Sequence, residues 1–245
     1  MGLIFAKINK LAGAVLDIFY PRVCSGCGGG IEKESGMVCW QCRSMLEFVE
    51  RPYCEKCGDP VEGKVMHQYE CSFCCDNPPA FFMARSVFKY RGIARNLVHA
   101  FKYSNATYLA SDLADYLAAL WDTNCRNFCP DAVIGVPLYP RKERGRGYNQ
   151  SFLLGKQLAS RLGIEFDGTR LKRIVDTKTQ TDLKASERRA NVKGAFVVRD
   201  DGWTSGRFFI LVDDVMTTGS TVRECASVLM KAGASGVVVL TVARG

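Results

Sequence analysis

The chain has 245 residues, 47% hydrophobic and 24% charged, with a formal net charge of +8. That length and balance suit one large domain, or a core domain with a small appendage, and exclude a disordered chain. The charge is uneven: residues 1–85 hold nine basic and ten acidic side chains, leaving 24 basic against 15 acidic beyond them, a surplus that fits either an anionic partner or a solvated basic face.

Residues 1–20 are apolar, but Lys7, Lys10 and Asp17 interrupt them and Pro21 ends them. They fit neither a signal peptide nor a membrane span. Ile4, Ile8, Leu11, Val15 and Ile18 recur at steps of three and four. The segment therefore reads as an amphipathic helix that docks on the protein's own core. A cytoplasmic protein with no integral membrane segment is the expectation.

Twelve cysteines in such a chain argue for metal and against disulfides. Eight of them form four Cys-x-x-Cys pairs between residues 24 and 74, and Gly28 and Gly58 follow the first and third pairs. The block over 21–79 thus reads as a repeat of about thirty residues, closed by Pro78-Pro79. One such turn offers two thiolates to zinc at about 2.3 Å, and two turns complete a tetrahedral structural site. Two zinc ions follow, one on Cys24, Cys27, Cys39 and Cys42, the other on Cys54, Cys57, Cys71 and Cys74. The repeat favours this sequential pairing, a cross-braced one stays open, and Cys75 beside Cys74 leaves the last ligand ambiguous. Metal here staples a segment too small to build its own core. Cys125, Cys129 and Cys225 have no partner pattern and are expected to be buried apolar residues.

From Ala80 the pattern alternates between strands and helices. Strands are predicted at 86–90, 132–136, 195–198, 208–212 and 237–242, and helices at 93–103, 109–121, 150–162 and 220–232. Residues 164–194 follow neither period. The run 208–242 is a strand–helix–strand unit, and its fully apolar strands imply a parallel sheet covered on both faces.

The segment from Phe209 to Thr221 carries the chemistry. A buried strand delivers Asp213 and Asp214 to the sheet's C-terminal edge, and residues 213–219 are expected to form a loop. The backbone N–H groups of Thr218, Gly219, Ser220 and Thr221 then open a helix, which makes an anion cup. Carboxylates beside a phosphate cup suit sugar hydroxyls. Arg141, Lys142, Arg144 and Arg146 follow a strand end and are expected to face the same crevice. Residues 170–193 carry eight basic and three acidic side chains. Arg188 and Arg189 among them are candidates to clamp pyrophosphate bidentately.

Residues 209–221 closely resemble the phosphoribosyl pyrophosphate motif of type I phosphoribosyltransferases. The resemblance implies that Asp213 and Asp214 hold the ribose hydroxyls and that Thr217, Thr218, Gly219, Ser220 and Thr221 bind the 5-phosphate. It also implies a pyrophosphate loop at Pro137, Leu138 and Arg141, and Mg²⁺ bound with phosphoribosyl pyrophosphate. The four cysteine pairs, His99-Ala-Phe-Lys-Tyr103, residues 136–150 and residues 181–196 resemble, over the whole chain, the ComF family of double-zinc-ribbon, phosphoribosyltransferase-like competence proteins. That implies an α/β domain over 80–245 with a type I phosphoribosyltransferase-like parallel sheet flanked by helices, and a link to DNA uptake. Single-stranded DNA or a DNA-uptake helicase would then be the partner. Three functions stay open: a phosphoribosyltransferase on an unidentified acceptor, a non-catalytic sensor of phosphoribosyl pyrophosphate, and a single-stranded DNA module in which Tyr103, Tyr139 and Tyr148 stack on bases.

Overall fold

Continuous runs of branched apolar residues become the centre of a sheet, because a strand covered on both faces needs no polar alternation. The computed structural model describes residues 23–31, 36–63, 65, 68–177 and 192–245. The expected N-terminal helix, Arg188 and Arg189 lie outside them. Five parallel strands form the main sheet: β1 (Met83–Lys89), β2 (Ala132–Gly135), β3 (Glu165–Asp167), β6 (Phe208–Met216) and β7 (Gly236–Arg244). Their order is β1-β7-β6-β2-β3, and β7 is buried at every position. Two short strands, β4 (Leu171–Arg173) and β5 (Phe196–Val198), pair antiparallel outside it.

The helices are α1 (Trp40–Ser44), α2 (Ser72–Asp76), α3 (Gly92–Tyr103), α4 (Leu109–Asn124), α5 (Pro140–Arg146), α6 (Gln150–Leu162), α7 (Asp201–Thr204) and α8 (Ser220–Lys231). Helix α6 starts where Asn149 Oδ1 accepts from the N–H groups of Ser151 and Phe152, and ends at Gly163 with φ 68°. These are the capping devices that leave no orphaned end.

Period-two alternation divides the core. Ile210, Val212, Val238 and Leu240 face α3, α4, α6 and the first cysteine group. Phe209, Leu211, Val237 and Val239 face α8, β4, β5 and the second group. The two metal-binding segments therefore pack on opposite faces of one sheet.

Three expectations are corrected. Strand β6 does not stop at Val212: it pairs with β7 as far as Met216, opposite Arg244. Both aspartates are strand residues, because β7 is long enough to satisfy the backbone beyond them. The turn expected over Pro137–Arg141 ends early, as Pro140 opens α5, which suits the fixed φ of proline. Cys129 is exposed, whereas Cys125 and Cys225 are buried as expected.

Candidate functional site

The strand order reverses between β2, which leads on to β3 at one side, and β6, which leads to β7 at the other. The crevice beyond the C-terminal ends at such a reversal is where open α/β sheets hold ligands. Two segments leave the sheet there, residues 136–139 after β2 and residues 217–219 after β6. The first is anchored: Val136 N donates to Val212 O (2.9 Å), and the buried Asn149 donates through Nδ2 to Val136 O (3.1 Å). Pro137 is buried there and Leu138 half-buried. Gly135 lets α6 approach, since a Cβ on it would lie 2.6 Å from Phe152 Cδ1 and 2.8 Å from Ser151 O.

Adjacent strand residues alternate in direction, so the two carboxylates take different partners. Asp213 Oδ1 accepts from Ser151 Oγ at 2.8 Å and from the Asp214 N–H at 2.9 Å. Asp214 is 3% exposed. Its Oδ1 accepts from the Val215 N–H at 2.7 Å, and the Lys102 ammonium lies 2.9 Å from Oδ2. That last contact is an ion pair without good hydrogen-bond alignment. Burial, reinforced by the Asp214 charge, pushes the Asp213 carboxyl up to about 7, against the opposing effect of Lys102 and Ser151. Burial works against the Lys102 ammonium, but the charges of Asp214 and Asp213 outweigh it and hold its pKa above the ordinary value.

Lys102 and Ser151 are the site residues that motif reading missed. Lys102 lies within His99–Tyr103 and Ser151 just beyond the segment 136–150, but no spacing rule links either to the aspartates. Their register against β6 is a tertiary fact.

Beyond Met216 the chain turns through Gly219, at φ 72°, into α8. A Cβ there would also lie 2.6 Å from Met216 Cε. Thr218 Oγ1 and Ser220 Oγ are 2.8 Å apart. A small open cleft lies between Asp213, Thr217, Gly219, Ser220 and Thr221, at the positive end of a helix of 12 residues. The other expected ligands are less uniform. Arg141 is exposed and ion-paired with Asp176 at 2.6 Å, while the Lys142 ammonium donates to Thr177 O at 2.7 Å. Arg144 is exposed, and Arg146 stands over the Tyr103 ring at 5.3 Å from its centre.

The cysteines group sequentially, Cys24/Cys27/Cys39/Cys42 and Cys54/Cys57/Cys71/Cys74, with all sulfurs of a group within 4.8 Å of one another. Representative Sγ–Sγ distances are 3.9 Å for Cys27–Cys39 and 3.8 Å for Cys57–Cys71. A tetrahedron with Zn–S of about 2.3 Å requires about 3.8 Å. Backbone N–H groups of Cys39 and Cys71 donate to Cys24 and Cys54 Sγ at 3.2 and 3.3 Å, as suits thiolates rather than thiols. The donor sets fit zinc, and the cross-braced alternative is overturned. Cys75 is exposed and points its thiol at Glu70 O (3.8 Å), outside the group.

Comparison with known proteins accords with this architecture. Residues 15–76 match the double zinc ribbon domain and residues 148–245 the phosphoribosyl transferase domain. DNA utilization protein YhgH of Salmonella typhimurium is 34% identical over 223 residues, covering 84% of this chain and 96% of the relative. Competence protein F of Haemophilus influenzae is 32% identical over 230 residues, 92% and 98% of the two chains. The chain belongs to the ComF family. Competence protein ComFC of Bacillus subtilis, at 22% identity over 235 residues, is a more distant relative, covering 92% of this chain and 91% of that one. Among solved structures, the B. subtilis glutamine phosphoribosylpyrophosphate amidotransferase shares 18% identity at a TM-score of 0.39, over 58% of this ComF chain and 30% of that chain. No helix among the described residues is long and apolar enough to cross a membrane.

Proposed function

We propose that this ComF-family protein binds phosphoribosyl pyrophosphate with Mg²⁺ in the crevice between β2 and β6. The observation that supports this most is the placement of two carboxylates beside a glycine-turned helix start at the strand-order reversal. Asp213 and Asp214 would accept from the ribose hydroxyls. The N–H groups of Thr218, Gly219, Ser220 and Thr221 would hold the 5-phosphate, with the hydroxyls of Thr217 and Ser220 beside them. Pro137, Leu138 and Arg141 would flank the pyrophosphate, and Arg188 and Arg189, which lie outside the described residues, are proposed as its further ligands on their sequence alone. Mg²⁺, a hard cation suited to oxygen ligands, would enter with the ligand beside Asp213 and Asp214 and offset the pyrophosphate charge. The Lys102 ammonium is paired with Asp214, and the Ser151 hydroxyl donates to Asp213 and aims it. If turnover occurs, pyrophosphate departs from C1 of the ribose, an acceptor nucleophile takes its place, and positioning with electrostatic stabilisation supplies the rate. Calorimetry with phosphoribosyl pyrophosphate and Mg²⁺ tests binding, and Asp214→Asn should weaken it. Pyrophosphate release across a panel of bases, amines and DNA separates enzyme from sensor. Absence of binding in the wild type refutes the reading.

A second reading, single-stranded DNA handling, is supported by an exposed pair of neighbouring rings. Tyr103 is 59% exposed, with the His99 ring 4.8 Å away and Arg146 on it. Of the other tyrosines considered for stacking, Tyr148 is half-buried and donates to Phe101 O. The relatives' names concern DNA utilization and competence, and we carry a role in DNA uptake to this chain on that basis. Binding of a labelled single strand should fall with salt at a log–log slope of about −0.7 per phosphate neutralised. Tyr103→Ala should weaken it, and no binding at low salt refutes it.

A further inference from the structure

The loop that turns from β6 into α8 is held from outside at both ends, and both holders belong to the second cysteine group. At the helix side, Arg223 stands one turn into α8, its N–H bonded to Gly219 O at 2.9 Å. Its guanidinium donates through Nη2 to Cys74 Sγ (2.9 Å) and through Nη1 to Asn77 O (2.7 Å). It is also sandwiched by Phe73 at 4.7 Å and Phe81 at 5.8 Å. At the strand side, Arg244 Nη1 donates to Met216 O (3.0 Å), Thr217 O and Gly245 O (2.7 Å), while Nη2 pairs with Asp59 Oδ1 at 3.1 Å. Asp59 closes the Cys54/Cys57 turn, since its carbonyl accepts from the Cys54 N–H at 2.9 Å. Each turn of the second ribbon thus grips one end of the loop through one arginine.

The first ribbon is attached elsewhere. Gly26 O accepts from Asn96 of α3 (3.0 Å), and Asp112 of α4 accepts from the Met37 N–H (3.4 Å). We infer that the two zinc sites are not equivalent: the Cys54–Cys74 site holds the phosphate loop in its binding shape through Arg223 and Arg244. This rests on the reading of Thr217–Thr221 as a phosphate site. The chemistry favours it. Four thiolates leave a zinc cluster doubly negative, so a guanidinium on Cys74 is a stabilising outer-shell contact. The two Nη nitrogens of a planar fork serve that sulfur and the Asn77 carbonyl at once, a geometry that the single nitrogen of an ammonium does not reproduce. Arg223 and Arg244 are positioning residues, since neither has to touch the ligand. Linkage then requires reciprocity in affinity: what binds the loop must tighten zinc at the second site by the same factor that zinc tightens its binding, and a more tightly held ion is released more slowly.

The test uses the zinc-loaded full chain and ribose 5-phosphate as probe. Zinc release to a coloured chelator is followed with and without probe, after calorimetry has established whether the probe binds. Alkylation of the freed cysteines, read by peptide mass spectrometry, assigns each release phase to Cys24–Cys42 or Cys54–Cys74. The expected result is that saturating probe slows the second site by about tenfold, within the usual range of coupling, and leaves the first unchanged. Arg223→Lys should abolish that protection despite keeping the charge. Asp59→Asn, at a residue whose side chain is 50% exposed, should reduce it without loss of fold. Equal slowing of both sites, or of neither, with probe bound overturns the coupling and leaves the phosphate reading standing. No calorimetric binding overturns both.

Discussion

Removing Lys102 tests the charge arrangement most directly. Its ammonium lies 2.9 Å from Asp214, and the two side chains are 19% and 4% exposed. At an effective dielectric of about 20, two charges at that separation attract by about 5–6 kcal/mol before desolvation is subtracted. Lys102→Met keeps the stem but strands a buried carboxylate, which ordinarily costs about 3–5 kcal/mol. The cost has a ceiling, because a carboxyl group of ordinary acidity can instead be held protonated at pH 7 for about 4 kcal/mol. The expected loss is therefore about 3–4 kcal/mol at pH 7, a fall of about 6–16 °C in Tm for a chain of this size. The same ceiling drops to about 1.5 kcal/mol at pH 5, so the destabilisation should shrink as pH falls. Urea unfolding of zinc-saturated protein at the two pH values measures both. Lys102→Met/Asp214→Asn removes the stranded charge and should recover most of the loss. A single variant within 0.5 kcal/mol of wild type, or a double variant no better than the single, refutes the account.

Four more predictions rest on named contacts. Because the Asp213 carboxyl titrates at about 7, a ribose hydroxyl finds an ionised acceptor only above that pH. Ribose 5-phosphate affinity should rise between pH 6 and 8 more in wild type than in Asp213→Asn, as calorimetry would show. The same raised value means the folded state binds protons that the unfolded chain has released, so this group's contribution to stability falls as pH rises from about 4 to 7. Urea midpoints of wild type and Asp213→Asn over that range should diverge accordingly. Gly135→Ala should destabilise by about 1–3 kcal/mol through overpacking against Phe152 and the Ser151 backbone, and should weaken ligand binding by moving Ser151. Metal analysis should return two zinc equivalents, and Cys57→Ser should lower this to one while leaving the sheet folded by circular dichroism.

Much of the site was legible because its signals are local. A Cys-x-x-Cys turn is a contiguous unit, and so is an apolar strand that runs into Asp213-Asp214 and a glycine-rich helix start. These pointed to the metal ligands and the parallel sheet, and to the two carboxylates beside a glycine-turned helix start on which the proposed phosphate site rests. The pattern over 150–162 marked α6, which Gly163 ends and which the structure shows capped at its start by Asn149.

What the tertiary structure alone decided depends on distant partners. The repeat favoured sequential cysteines without excluding cross-bracing, and the folded turns bring the sulfurs together in the sequential order. Strand β6 outlasts its hydrophobic run because Met216 has a backbone partner in Arg244, and hydrogen bonding across a ladder leaves no mark on residue type. Lys102 and Asp214 meet through the packing of α3 over the sheet, Ser151 and Asp213 through the approach that Gly135 permits. Arg223 and Arg244 look in sequence like ordinary surface charges near a helix and a chain end. Their hold on the second ribbon exists because period-two alternation puts that ribbon and α8 on the same face of the sheet.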